Sequence, residues 1–395
     1  MNSQITNQIN QAGHLTIGGV DSLKLAKEYG TPLVVYDVSQ IRNQIRAFKK
    51  VFEEEQVNYA VSYASKAFAS IAMYQVANEE GAYTHVGKII IDNFYEIDLL
   101  RQVLEEQDSK INVMLRITPG ISAHTHEYDQ TGQVDSKFGF DLKSGQADKA
   151  LQEVLKNQRM HMLGIHAHIG SQIFELNGFE MAAAKLVDVA ASWKEKYDYT
   201  AQIINVGGGF GIKYVQEDHP LKPEEFVKAI VKAIKDEATK HNFPIPEIDI
   251  EPGRSIVGPA GYNLYKVGSM KEIPGLVPYV SVDGGMGDNI RPALYQAKYE
   301  TVLANDPQRR ASQEFHVAGK YCESGDILAD AKLPSLKAGD ILAMLDTGAY
   351  GYSMASNYNR NPRPAVVFVE NGKEQLVIKR ESLEDLIHLD QDYNI

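Results

Sequence analysis

The sequence predicts an α/β barrel of the eightfold type, incomplete at about six of eight strands, followed by a β-rich C-terminal domain. Three observations predict it. Between Val57 and Ser255, apolar runs rich in β-branched residues alternate with amphipathic helical stretches, the pattern of strand–helix units in a parallel sheet. Past Gly258, short strands succeed one another with only turns between them. The alternating stretch is also too short for a full barrel, since at about 31 residues per unit it has room for roughly six.

The chain opens with a polar leader, a short strand at 14–17 and a helix at 23–29 that Ser22 is expected to cap. A second strand at 32–36 leads into an amphipathic helix at 38–54. Barrel strands are read at 57–64, 86–92, 112–117, 162–168, 203–206 and 248–251, with the clearest helices at 147–156, 178–196 and 223–241. After the first barrel strand, Ser65 to Ala69 turns into a helical pattern with Ile71, Met73, Tyr74 and Val76 on one side. In the β-rich part, Asn371-Gly372 between two strands signals a tight hairpin. No repeat, low-complexity tract or evident flexible linker separates the parts.

Composition excludes several classes. A formal net charge of −12 and the absence of a Lys/Arg-rich tract argue against a nucleic-acid partner. No apolar run approaches the ~18 residues of a membrane helix. Cys322 is the sole cysteine, so an intrachain disulfide is impossible and a reducing compartment is expected. The first residues lack a signal-peptide profile, so a cytoplasmic location is expected.

Chemistry concentrates at strand ends. Lys66, in Tyr63-Ala64-Ser65-Lys66-Ala67, stands where a strand gives way to a helix, at the mouth where α/β folds hold ligands. An amine there can attack a carbonyl, although a lone lysine also reads as plain surface. Gly207, Gly208 and Gly209 follow an apolar strand and let backbone N–H groups close on a phosphate, or simply make a strand–helix turn. Glu251-Pro252-Gly253-Arg254 ends the last barrel strand. Arg254 suits a phosphate or carboxylate, and Glu251 suits a pyridine nitrogen that it would keep protonated; a structural Glu–Arg pair is the plainer reading.

His166 and His168 share a strand face, and His168 suits stacking on an aromatic ring, or else a satisfied core position. A metal site using these with His124 and His126 is not expected, because no zinc-type spacing or cysteine set supports it. Cys322, beside Glu323 and a glycine turn, is either inert packing or a proton donor. Tyr350 lies in a glycine-rich loop, where exposed tyrosines usually contact something.

In this order the motifs closely resemble the fold-type III pyridoxal-phosphate decarboxylases, over nearly the whole chain. They include Asp135-Ser136-Lys137-Phe138-Gly139, His168-Ile169-Gly170-Ser171, Cys322 to Asp326 and Arg291-Pro292-Ala293-Leu294-Tyr295. The last segment resembles the branch that acts on diaminopimelate rather than ornithine or arginine. The resemblance implies residues 1–37 as strands joining the β-domain, 38–258 as the cofactor barrel and 259–395 as the β-rich domain. It implies pyridoxal phosphate on Lys66, stacked on by His168, with Ser171, Gly207 to Gly209, Pro252, Gly253, Arg254 and Tyr350 about it and Glu251 on the ring nitrogen. Arg254, Arg291, Tyr295, Glu323 and Tyr350 would bind substrate. A homodimer is implied, in which Cys322 and Glu323 reach the partner's site, Cys322 as proton donor.

One departure is large. Family members continue after the lysine strand through two further strand–helix units, whereas here Glu80-Gly81 runs through Ala82-Tyr83-Thr84-His85 directly into the next family strand. The expected activity is decarboxylation of meso-diaminopimelate to L-lysine. The alternatives are a decarboxylase of another basic amino acid and an inactive homologue.

Overall fold

The computed structural model describes residues 8–121 and 137–393. Asp135, Ser136, His124 and His126 lie outside the described residues. The six barrel strands form one parallel sheet in the order Tyr59–Val61, Glu247–Ile250, Ile203–Asn205, Met160–His166, Ile111–Thr118, Ile89–Ile91. The two-residue strand Phe140–Asp141 extends the end of Ile111–Thr118 and is too short for any periodicity to register.

The first and last barrel strands are neighbours, with Val61 opposite Ile250, so the sheet curls round as a barrel does. The other seam is open. Among the described residues no strand joins Tyr59–Val61 to Ile89–Ile91. Tyr83 alone stands in the gap: its N–H donates to the Val61 carbonyl at 2.8 Å, and its own carbonyl accepts from Tyr63 N–H at 3.0 Å. Tyr83 and Val86 are 59% and 83% exposed, and an apolar groove lined by Ile89, Ile91, Leu99 and Val103 runs along the edge strand. Across the interior, Lys88 pairs with the fully buried Asp249. Burial pushes that carboxyl up, and the ammonium partly offsets the cost.

Outside the sheet, the helices Val38–Glu54, Leu176–Tyr197 and Pro223–Lys240 bury apolar stripes at helical spacing. Phe179 stacks on Phe210 at 4.9 Å and meets Phe226 edge-on at 5.3 Å. Phe210 directly follows Gly209, so this aromatic cluster anchors the glycine loop to the helical layer.

In the β-rich part, Leu33–Asp37 lies antiparallel to Gly261–Lys271 and parallel to Ala365–Glu370. The chain's early segment thus enters the middle of a sheet built mainly from its end. Asn371 and Gly372 both have positive φ, 52° and 75°, as the tight hairpin between Ala365–Glu370 and Lys373–Ile378 requires.

Three local expectations change. Asp21, not Ser22, caps the first helix: its carboxylate accepts from Leu23 N–H at 2.8 Å, and a carboxylate also complements the helix dipole. Lys66 sits in a single 3₁₀ turn, Ser65–Ala67, separate from the helix Ile71–Glu79. That helix buries Met73, Val76 and Ala77, leaving Ile71 80% exposed.

Candidate active site

The first barrel strand ends early so that its last residues can turn toward the site. Ser62 N–H donates to the Ile250 carbonyl at 2.9 Å, and Ala64 N–H to the Pro252 carbonyl at 3.1 Å. A Cβ on Gly253 would come within 2.9 Å of Ala64, so only glycine lets the two strand ends approach this closely. The Lys66 turn is clamped from the β-rich side, because the Ala67 carbonyl accepts from Tyr350 N–H at 2.9 Å and from the Ser353 hydroxyl at 3.0 Å.

Lys66 opens on a cavity of about 310 Å³ that also meets Arg116, Phe138, His166, His168, Ser171, Gly208, Gly209, Glu251, Gly253, Arg254, Arg291, Tyr295 and Tyr350. Eleven sequence-predicted residues therefore converge on one space. Gly207 and Pro252 brace it instead. Gly207 N–H donates to the Asn205 side-chain carbonyl at 2.8 Å, and its own carbonyl accepts from Glu251 N–H at 2.8 Å. Cys322 and Glu323 do not line this cavity: Cys322 is exposed, with Sγ 3.9 Å from the Glu323 carboxylate, which also accepts from Tyr358 Oη. A larger cleft of about 590 Å³ lies between Val215–Glu217 and Tyr299–Leu303, but it holds neither Lys66 nor a barrel strand-end motif.

Electrostatics assigns the ends of the cavity. Asn205 is oriented by Gly207, so its amide must donate to Glu251 Oε1, at 2.9 Å, while His166 Nε2 stands 3.4 Å from Oε2. Burial alone would raise the Glu251 carboxyl, but His166, Asn205 and His168 outweigh it and hold it down to about 2. His168 is the reverse case. Burial, with Lys66, His166 and Arg116 around it, lowers its pKa to about 3, so the ring is neutral, and Nδ1 accepts from Gly208 N–H at 3.3 Å.

At the other end, Arg254 donates to Tyr214 Oη at 2.7 Å and to Ser171 Oγ at 3.0 Å, and lies 4.9 Å from the Tyr350 ring centre. Arg291 donates to Tyr299 Oη at 2.9 Å and lies 5.0 Å from the Tyr295 ring centre. Both guanidiniums are thus fixed by tyrosines.

Pyridoxal phosphate fits this arrangement. An amine is available for its carbonyl, a neutral flat imidazole for its ring face, an ionised carboxylate for its ring nitrogen, and glycine backbone with Arg254 and Ser171 for its phosphate. Sequence reasoning missed Asn205, Arg116, Tyr214 and Tyr299. A charge inside the apolar strand 111–118 was a usable signal for Arg116, whereas the two tyrosines gave none.

A depressed carboxylate contributes stability above its usual value of 4.5 that is lost as pH falls toward about 2. Glu251→Gln removes that contribution. The stability gap between wild type and variant is therefore expected to narrow on going from about pH 6 to about pH 3, read from urea midpoints. A gap independent of pH would refute the ionised, clamped carboxylate.

Fold and cavity together define a pyridoxal-dependent decarboxylase. The sequence profile of that class, the pyridoxal binding domain of pyridoxal-dependent decarboxylases, matches residues 82–258, beginning where the sheet opens. The diaminopimelate decarboxylase of Bacillus subtilis is 51% identical across 98% of this chain and 97% of its own length. That alignment runs over 425 positions, more than the 395 of this chain, so the relative carries residues that are absent here. The crystal structure of diaminopimelate decarboxylase from M. jannaschii superposes with a TM-score of 0.89 at 30% identity, covering 98% of this chain and 97% of that one. The Helicobacter pylori enzyme complexed with L-lysine gives a TM-score of 0.80 at 28% identity, covering 93% and 98%. The chain belongs to the diaminopimelate decarboxylase family.

Proposed function

We propose that the chain decarboxylates meso-diaminopimelate to L-lysine in the cytoplasm, as a homodimer whose two subunits complete each other's sites. The observation that carries the reading is the convergence of Lys66, Glu251, Arg254 and Arg291 on one cavity in a member of this family. Residues 38–258 are the cofactor barrel, and residues 1–37 and 259–395 together make the β-rich domain. The cytoplasmic assignment draws on the single cysteine. No described helix is long and apolar enough to cross a membrane.

Pyridoxal phosphate, when bound, supplies an electron sink for the pair left by departing CO₂. Lys66 Nζ would hold the cofactor by its carbonyl carbon. Glu251, ionised, would keep a proton on the ring nitrogen, and His168 would lie against the ring face. Gly208, Gly209, Ser171 and Arg254 bind the phosphate. Arg291, steadied by Tyr299 and Tyr295, binds the distal carboxylate of the substrate, while Glu323 of the second subunit takes its distal ammonium. Cys322 Sγ of that subunit returns the proton to the carbon that lost CO₂.

Substrate preference tests this. Ornithine lacks the distal carboxylate and leaves the remaining donors of Arg291 without it, so diaminopimelate is expected to be preferred by roughly 10²-fold or more in kcat/KM. Arg291→Ala should erase most of that preference. Comparable turnover of ornithine by the unmodified protein, or a preference unmoved by the substitution, would sink the assignment.

A further inference from the structure

Arg291 lines the chain's own cavity, whereas Cys322 and Glu323 lie outside it. Their loops are nevertheless joined at a single buried side chain. Asp326, 3% exposed, accepts from Met286 N–H at 2.6 Å through Oδ1 and from Tyr321 N–H at 2.9 Å through Oδ2. Met286 belongs to the loop 283–290 that delivers Arg291, and Tyr321 directly precedes Cys322.

The surrounding backbone makes the same junction. Lys320 N–H donates to the Gly284 carbonyl at 2.9 Å, Gly319 N–H to the Asp326 carbonyl at 2.8 Å, and Asp326 N–H to the Glu323 carbonyl at 3.0 Å. The fit leaves no spare room. A Cβ on Gly319 would fall 2.1 Å from the Asp326 carboxylate, one on Gly285 2.7 Å from it, and one on Gly287 1.9 Å from Tyr321 Oη. On the far side, Asp288 ties the Arg291 loop to the sheet by accepting from Gly285 N–H at 2.8 Å and from Tyr265 Oη at 2.6 Å. Both loops therefore share one rigid mount.

We infer that Asp326 is a positioning residue that sets Arg291 for the chain's own site and Cys322 with Glu323 for the partner's site through one hydrogen-bonded junction. The inference rests on the shared-site reading above. A carboxylate can accept from two backbone N–H groups at once, whereas an amide turned the same way must point one NH₂ at an N–H. Asp326→Asn thus removes one of the links between the loops, leaving the Lys320–Gly284 backbone bond, and loosens the junction without changing shape or touching the cofactor cavity.

The expected result is a split between two kinetic constants in two different sites. The Asp326→Asn homodimer should lose about tenfold or more in kcat and gain several-fold in KM, with the cofactor absorbance band and the dimer mass intact. In purified heterodimers of Asp326→Asn with Lys66→Ala, the live site takes Arg291 from the loosened chain and Cys322 from the intact one. There kcat per live site should return toward wild type while KM stays raised. In heterodimers of wild type with a Lys66→Ala, Asp326→Asn chain, the live site takes the reverse combination: kcat should stay low through Cys322, while KM, with Glu323 loosened but Arg291 intact, should rise less than in the first heterodimer.

A second readout needs neither cofactor nor turnover. Cys322 is the only thiol, so its alkylation rate by iodoacetamide in the cofactor-free protein should change several-fold in Asp326→Asn. Gly287→Ala, which presses on the same junction from the Tyr321 side, should reproduce both effects. Unchanged constants and thiol rate in a folded Asp326→Asn protein overturn the inference, as do two kinetic defects that always travel with the same site. Lys66→Ala mixed with Cys322→Ala is the control: if that pair stays inactive, the shared-site reading fails, independently of Asp326.

Discussion

Restoring a strand–helix–strand–helix segment between Gly81 and Ala82 is expected to raise decarboxylation about 10²-fold and to raise the soluble yield with it. The helix Ile71–Glu79 stops normally, with Gly81 at φ +70°, so the insertion point follows a natural helix end. Beyond it, a single residue, Tyr83, occupies the edge of the lysine strand. The Ile89–Ile91 edge and its groove face solvent, together with Val86 and Ile71. An uncovered edge of this kind invites intermolecular pairing. On the proposed function, the same opening would also admit water to Lys66, which is exposed. Activity and soluble yield measured side by side decide it. Equal activity of the two proteins would mean that six strands suffice and that Lys88 with Asp249 and Tyr83 repair the gap unaided.

Mixing Lys66→Ala protein with Cys322→Ala protein is expected to recover about one quarter of wild-type activity from two nearly inactive parents. Random exchange makes half of the dimers mixed, and each mixed dimer holds one site with both Lys66 and Cys322. The expectation follows from geometry as well as family. Lys66 lines the cavity, whereas Cys322 is exposed and outside it, which is the placement the proposed site sharing requires. The readout is lysine formation after co-refolding, with dimer content checked by mass. Folded, dimeric mixtures that recover nothing would falsify site sharing and return the proton donor to the chain's own cavity.

Strand-end chemistry was legible before any fold was known. Lys66, Glu251 and Arg254 stand where an apolar run stops, and in a parallel sheet every such stop faces the same mouth. The shortfall in barrel strands was legible too, since each unit needs a minimum length of chain. The contribution of residues 33–37 to the β-rich sheet came only from the resemblance. A strand's own sequence says that it pairs, not with whom, because hydrogen bonding in a ladder is blind to residue number.

Other features needed the folded chain. Ser22 and Asp21 are both good caps by type, and only backbone direction chose the carboxylate. Tyr214 and Tyr299 are ordinary aromatics in the sequence and become the fixed partners of Arg254 and Arg291 once distant loops meet. Glu251 is merely an acid at a strand end until His166 and Asn205 close on it and hold it ionised. By itself the sequence determined which chemical groups this protein owns and at which strand ends they stand, because local pattern and composition are properties of the chain. Tertiary structure alone decided which groups share a cavity and which charge each bears there. Burial, dielectric and strand pairing exist only between segments far apart along the chain.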